Sequence, residues 1–287
     1  MSRRDEILAS VTQAPALPVS AAHILPLLQD PDVGVSELRR AIEFDPGLTS
    51  NLLHMANSAY FGGRGEIGNV QQAIVRLGLK RVFNVVMAAL VAPMARHPVQ
   101  GYDLSAGALL KQSVMTAIVT ETMSEAFDIK IDPSSYAFTS GLLHGIGKIV
   151  LGTFVEVDVE AILQLAYQEK LPFHVAERQV LGIDHPEAGA ALLEQWHLPA
   201  GIVNAVRWHK DPDCFDGDRL VVNLVHLASH LAGESGIGAG LDGQNYAAAR
   251  SALEQFPLTP AKAELIVLNS VTSYEELVRH FPTKMEE

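Results

Sequence analysis

One period governs most of this chain. Apolar residues recur three and four positions apart along nearly all of its 287 residues, and no sustained alternation bounded by hairpin turns such as Asn-Gly interrupts them. Side chains at that spacing share one face of a helix, whereas a half-buried strand needs period two. The expected fold class is all-α. With 48% hydrophobic and 19% charged residues, the chain has enough apolar surface to offset its ordering entropy, so the helices should pack into globular units.

Local signals punctuate the helices. Asp45-Pro46 reads as a capping carboxylate followed by a first-turn proline. Gly78 should separate a short helix, 70–77, from a longer apolar one, 79–95, and residues 104–126 read as a single long helix. Asp158, Pro172, Asp184 and Pro199 mark further helix starts. Segment 62–69 holds four glycines and reads as a loop, while segment 232–245 holds five and reads as a flexible surface loop.

Charge divides the chain. Residues 1–100 carry nine Lys/Arg against eight Asp/Glu, whereas residues 101–287 carry twelve against twenty-five, out of a net −12. Together with Pro98 and Gly101 this predicts two helical subdomains, 1–100 and 101–287. The acidic balance argues against nucleic-acid binding, which rests on clustered Lys and Arg. A helix-turn-helix around Gly78 is disfavoured further because Val82, Phe83, Val85, Val86 and Met87 need burial rather than a groove. The longest apolar stretch, 82–95, falls short of the roughly 20 residues that span a bilayer. The first residues, MSRRDE, lack the features of a secretory signal, so a cytoplasmic location is expected. Cys214 is the single cysteine, so a metal site within one chain would need His and carboxylates.

Seven of the eleven histidines lie between 144 and 230. In GLLHGIGKIVL, residues 141–151, His144 and Lys148 are four apart and would share a helix face. His185, His209, His226 and His230 follow. HLASH at 226–230 has the histidine spacing of a zinc peptidase, but Leu227 stands where the general-base glutamate must be. There is no G-x-x-x-x-G-K phosphate loop and no G-x-S-x-G elbow.

GLLHGIGK resembles the GLLHDIGK signature of the HD phosphohydrolase superfamily, and the wider chain resembles its HD-related output domain, HDOD. The resemblance rests on LP at 17–18, DPGLTSNLLHMANSAYF at 45–61, the run from Ile67 to Gly78, ERQVLGIDHPEAGAALLEQWHLP at 177–199 and LVHLASHLA at 224–232. It implies an N-terminal helical subdomain followed by a degenerate HD bundle. An HD enzyme holds metal through histidines and the Asp of a His-Asp doublet. Here the doublet reads His144-Gly145, Gln112 stands where a first-helix His is expected, and Ser229 falls near the last Asp. His185 and His209 remain, with Lys148 beside them. The resemblance therefore implies a vestigial pocket holding no metal or other cofactor.

The implied function is a non-enzymatic signal-transduction module that binds a protein or small effector, with a sensor kinase or a cyclic-dinucleotide enzyme as partner. The alternative is a metal-dependent phosphohydrolase using His144, His185, His209 and His226. Asn57, Ser58 and Tyr60 can cap or turn, or bind; Arg76, Lys80 and Arg81 form a small basic patch. The expected effector contacts are Asn57, Tyr60, Arg64 and Arg76, together with the rim of the pocket at Gln112, His144 and Lys148.

Overall fold

The computed structural model describes the chain apart from residues 1, 14–18, 31, 59, 61–65, 130–135, 244–246 and 279–287, and apart from the side chains at 12, 13, 19, 20 and 278. Arg64 thus lies outside the described residues. Among those described there is no strand. The helices are α1 (Arg3–Gln13), α2 (Val19–Gln29), α3 (Val35–Glu43), α4 (Pro46–Ala56), α5 (Val70–Ala95), α6 (Ala108–Ala126) and α7 (Ala137–Leu143). They continue with α8 (Gly147–Glu169), α9 (Phe173–Leu181), α10 (His185–Gln195), α11 (Ala200–Trp208), α12 (Leu220–Glu234), α13 (Arg250–Gln255) and α14 (Pro260–Val278).

Two compact units result, Met1–Pro15 with Met94–Val271, and Ala16–Pro93 with Thr272–Glu287. The division at 93/94 precedes the expected one at 100/101, and each chain end joins the unit that its sequence position does not suggest. For α1 the cause is specific. It packs on α8 and α10, burying Ile7 and Val11. Arg3 pairs with Asp158 at 2.8 Å, and Arg4 with Glu187 at 2.6 Å while also donating to the Gly182 carbonyl. Helical periodicity marks a buried face but does not say which bundle covers it.

In the smaller unit, Asp45 caps α4 by accepting from the Leu48 N–H at 3.0 Å, with Pro46 in the first turn as expected. Leu38 and Ile42 form the buried face of α3. At Gly78 the backbone of α5 leaves helical geometry (φ 72°, ψ 162°), a conformation open to glycine and strained for other residues, so the two expected helices meet at a kink. Residues 82–88 beyond it are all buried, which fits the apolar character of every one of them except Asn84.

The larger unit is built around α6, which packs against α7 and α12 and buries Leu109, Leu110, Val114, Met115, Ile118, Val119 and Met123. This helix starts at Ala108, not at Leu104 as expected. Val99 and Leu104 instead form an isolated bridge, and Gly107 in the left-handed region (φ 78°) turns the chain into the helix. Asp158 starts nothing; it lies inside α8 and serves Arg3. Pro172, Asp184 and Pro199 do precede α9, α10 and α11. His144 and Lys148 do not share one continuous helix, because residues 144–146 form a turn between α7 and α8.

Candidate functional site

The larger unit gathers four of the expected histidines into one buried cluster. The His144 and His209 rings lie 5.3 Å apart, edge to face, and His185 lies 6.0 Å from His209. Their positions follow from helix ends. His144 closes α7, His185 opens α10 behind the capping carboxylate of Asp184, and His209 closes α11. Each ring is oriented through Nδ1. His144 donates to the Gly141 carbonyl at 2.7 Å, His209 to the Val206 carbonyl at 2.7 Å, and His185 to Glu177 Oε2 at 2.8 Å. Such outer partners fix ring orientation in the way they do around metal ligands.

His226 is committed differently. Its Nδ1 donates to the His209 carbonyl and its Nε2 accepts from the Ala249 N–H, both at 2.7 Å, so both ring nitrogens bond to backbone. The ligand set His144, His185, His209 and His226 therefore lacks a free lone pair at its fourth member. Ser229, one turn along α12, donates to the His226 carbonyl and is half-buried.

Lysine takes the centre. Lys148 is 1% exposed; its Nζ donates to Gln112 Oε1 at 2.8 Å, pairs with Asp242 Oδ2 at 2.7 Å and lies 5.6 Å from the centre of the Tyr102 ring. Gly145 contributes no side chain, and a Cβ built there would lie 3.1 Å from Leu109 Cδ1 and 3.9 Å from Gln112 Oε1. In the segment read as a flexible surface loop, 232–245, residues 233–241 and 243 are exposed or half-buried, but Asp242 turns inward, and residues 244 and 245 lie outside those described. The segment brings a carboxylate into the interior from a short 3-10 turn, Leu241–Gly243.

The electrostatics follow from burial. Desolvation, with help from the Lys148 charge, lowers the pKa of His144 to about 3, and burial lowers that of His226 to about 4. His209 falls well below its ordinary value for the same reason, reinforced by His144. Lys210 is half-buried as a residue, and desolvation of its ammonium, partly offset by Asp242, lowers its pKa to about 8. Burial alone would raise the Asp242 carboxyl, but Lys148 and Lys210 together bring it below the usual carboxylate range. The Tyr102 hydroxyl is held protonated by burial and by Glu177.

These residues do not suit a divalent metal ion. Hard cations favour anionic oxygen donors. Glu177 engages the His185 ring and backbone N–H through Oε2 alone and Asp242 engages Lys148 through Oδ2 alone, leaving one buried oxygen of each without a hydrogen bond, and no carboxylate stands at position 145. Among the described residues no group of three or more His, Cys, Asp or Glu is placed to hold a metal ion.

A match to the HDOD domain family covers residues 14–212. The chain belongs to the HDOD family. The fold agrees with solved structures. An HDOD domain protein of unknown function from Geobacter sulfurreducens superposes with a TM-score of 0.73 at 20% identity, over 97% of this chain and 99% of that one. A Shewanella amazonensis SB2B protein provisionally named a phosphohydrolase gives 0.71 at 22% identity, over 96% and 97%. A Marinobacter aquaeolei VT8 protein provisionally named a signal transduction protein gives 0.70 at 22%, over 96% and 64%. At these identities the likeness concerns the fold. An uncharacterized protein of Treponema pallidum (strain Nichols) is 28% identical over 200 residues, 69% of this HDOD chain and 38% of its own length.

In this HDOD chain Gln112, His144, Gly145, Lys148, His185 and His209 come together, with His226 behind them. Sequence reading missed Asp242, Glu177, Tyr102 and Lys210. It also missed a network beside α10, where Arg178 bonds both Asp184 and Asp211, and His174 Nε2 lies 3.1 Å from Asp211. Glu177 opens the stretch 177–199 that carried the resemblance and precedes His185 by eight residues, one signal that was present. For Asp242 only a glycine-rich stretch was visible.

The other expected contacts belong to the smaller unit. Asn57 is a structural clasp: its Nδ2 donates to the Leu53 and Ile67 carbonyls, and its Oδ1 accepts from the Ile67 N–H at 2.8 Å. Backbone holds both ends of the amide, which fits the capping and turn role weighed for Asn57 beside binding. Tyr60 is half-buried. Arg76 is exposed and lines an open pocket with Glu66, Asn69, Gln71, Gln72 and Val75. No described helix is long and apolar enough to cross a membrane.

Proposed function

We propose that this HDOD chain is a non-catalytic signal-transduction module that acts by binding a protein or small effector. The observation that carries this reading is position 145. Gly145 stands where the signature that GLLHGIGK resembles has its metal-binding carboxylate, and His226, a member of the alternative ligand set, has both ring nitrogens bonded to backbone. The shortage of anionic donors opposes metal binding there. The partner is a signalling protein, a sensor kinase or a cyclic-dinucleotide enzyme, and the exposed surface around Arg76 offers one contact face.

The test is elemental analysis of the purified protein, combined with phosphodiester and phosphomonoester turnover in Mn, Fe and Mg buffers. We expect less than stoichiometric metal and no turnover above the protein-free rate. One or two tightly held ions per chain, with turnover abolished by His144→Ala, would overturn the reading in favour of a phosphohydrolase.

A further inference from the structure

Asp242 is an unusual partner for a buried lysine. It reaches the cluster from a 3-10 turn and not from one of the packed helices, and its side chain is 4% exposed. Only one of its oxygens is well used: Oδ2 meets Lys148 at 2.7 Å, whereas Oδ1 is buried with no hydrogen-bond partner. Buried carboxylates that serve stability alone are normally satisfied at both oxygens, since each unmet lone pair carries a desolvation penalty. Close beside it His185 Nε2 is likewise buried and unmet, and Lys210 lies within electrostatic reach of the carboxylate.

The lysine, by contrast, does not depend on Asp242 for its position. Gln112 holds Nζ from α6, and the Tyr102 ring flanks it. If the carboxylate left, the ammonium would remain aimed at the same point. The strap that delivers the carboxylate, residues 235–243, follows the end of α12. Gly236 and Gly238 in it have positive φ, and a Cβ at Gly238 would overlap the Ala108 carbonyl oxygen, while one at Gly240 would come within 2.9 Å of the Tyr102 carbonyl oxygen. The strap is therefore shaped to lie flush over the start of α6 and to place its carboxylate on the lysine.

We propose that the strap is an autoinhibitory latch, with Asp242 acting as an internal stand-in for an oxyanion of the phosphate class that binds Lys148 and Lys210 once the strap lifts. A tetrahedral oxyanion offers more oxygens than one carboxylate and so can answer both ammoniums together, whereas Asp242 has one bonded oxygen, on Lys148. The proposal rests on reading the pocket as a binding site and not as a hydrolytic one.

The probe is inorganic phosphate, titrated into the full chain by calorimetry, with acetate in parallel. Asp242→Asn removes the competing charge while keeping the side-chain shape. It should bind phosphate at least tenfold more tightly than the unsubstituted chain, and Asp242→Asn combined with Lys148→Met should lose that gain. An equal affinity in Asp242→Asn and the unsubstituted chain, retention of the gain in the double variant, or an equal gain for acetate each overturns the proposal. Should Asp242→Asn not fold, hydrogen exchange of the unsubstituted chain decides: saturating phosphate should speed exchange in residues 235–243 at least threefold, and unchanged exchange there overturns the latch. Turnover of a phosphoester by any of these proteins would defeat the non-catalytic reading, whereas failure of phosphate to compete would defeat the latch alone.

Discussion

At the scale of single residues, position 145 carries the proposed difference between this pocket and a hydrolytic one. Restoring the missing carboxylate with Gly145→Asp should not restore a metal site, because Gln112 and Ser229 still stand at two other expected ligand positions. The new side chain would press on Leu109, since even a Cβ there lies 3.1 Å from Leu109 Cδ1, and its carboxylate would compete with Asp242 for one ammonium. Overpacking together with a second buried acid should destabilise by about 2–4 kcal/mol. Urea unfolding measures this, and metal-dependent turnover appearing in the single variant would contradict it.

At the scale of elements, the site depends on how closely α8 and α10 approach. Gly147 opens α8 against the first turn of α10, and a Cβ at that point would overlap the His185 carbonyl oxygen and the Gly189 nitrogen. Both are backbone atoms, so relief requires moving a helix. Gly147→Ala should therefore cost about 3 kcal/mol or more and displace His185 from His209, visible as altered imidazole resonances; a loss under 1 kcal/mol would mean that the helices separate easily. Gly34→Ala, where a Cβ meets nothing within 4 Å, is the control. What was legible in the sequence divides along the same line. Caps at Asp45 and Asp184, and the starts at Pro172 and Pro199, are local chemistry, readable without tertiary structure. The start of α6, the interior place of Asp158 and the side on which α1 packs are set by contacts distant in sequence, for which periodicity has no signal. Within the site, His144, His185 and His209 were reachable because they stand in motif positions. Asp242 was not, because a glycine-rich segment reads as solvent-exposed until the surface it covers is known.

At the scale of the whole molecule, the buried imidazoles make stability depend on pH with a definite sign. In the unfolded chain histidines take up protons below about pH 6.5, whereas His144 and His226 in the folded state wait until about 3 and 4, and His209 also titrates well below its ordinary value. Between pH 6.5 and 4 the unfolded state thus binds more protons, and stability must fall as pH falls. Asp242 adds nothing across most of that window, because its folded pKa is depressed; its contribution is present above the ordinary carboxylate value and is lost only as pH drops through the folded one. The expected loss at pH 5 is about 2 kcal/mol for each of His144 and His226, from about 1.4 kcal/mol per pH unit below 6.5. Lys210 acts at the other end: with a folded pKa of about 8 it favours the folded state increasingly as pH rises from 8 toward its unfolded value. Urea midpoints from pH 4.5 to 9.5 test the whole profile. His226→Gln, which can still donate to the His209 carbonyl and accept from the Ala249 N–H, should flatten the acid limb by close to one proton without abolishing folding. A stability that is level from pH 7 to 5, or an acid limb unchanged in His226→Gln, would mean that these imidazoles exchange protons with solvent in the folded state and that the cluster is more open than its burial indicates.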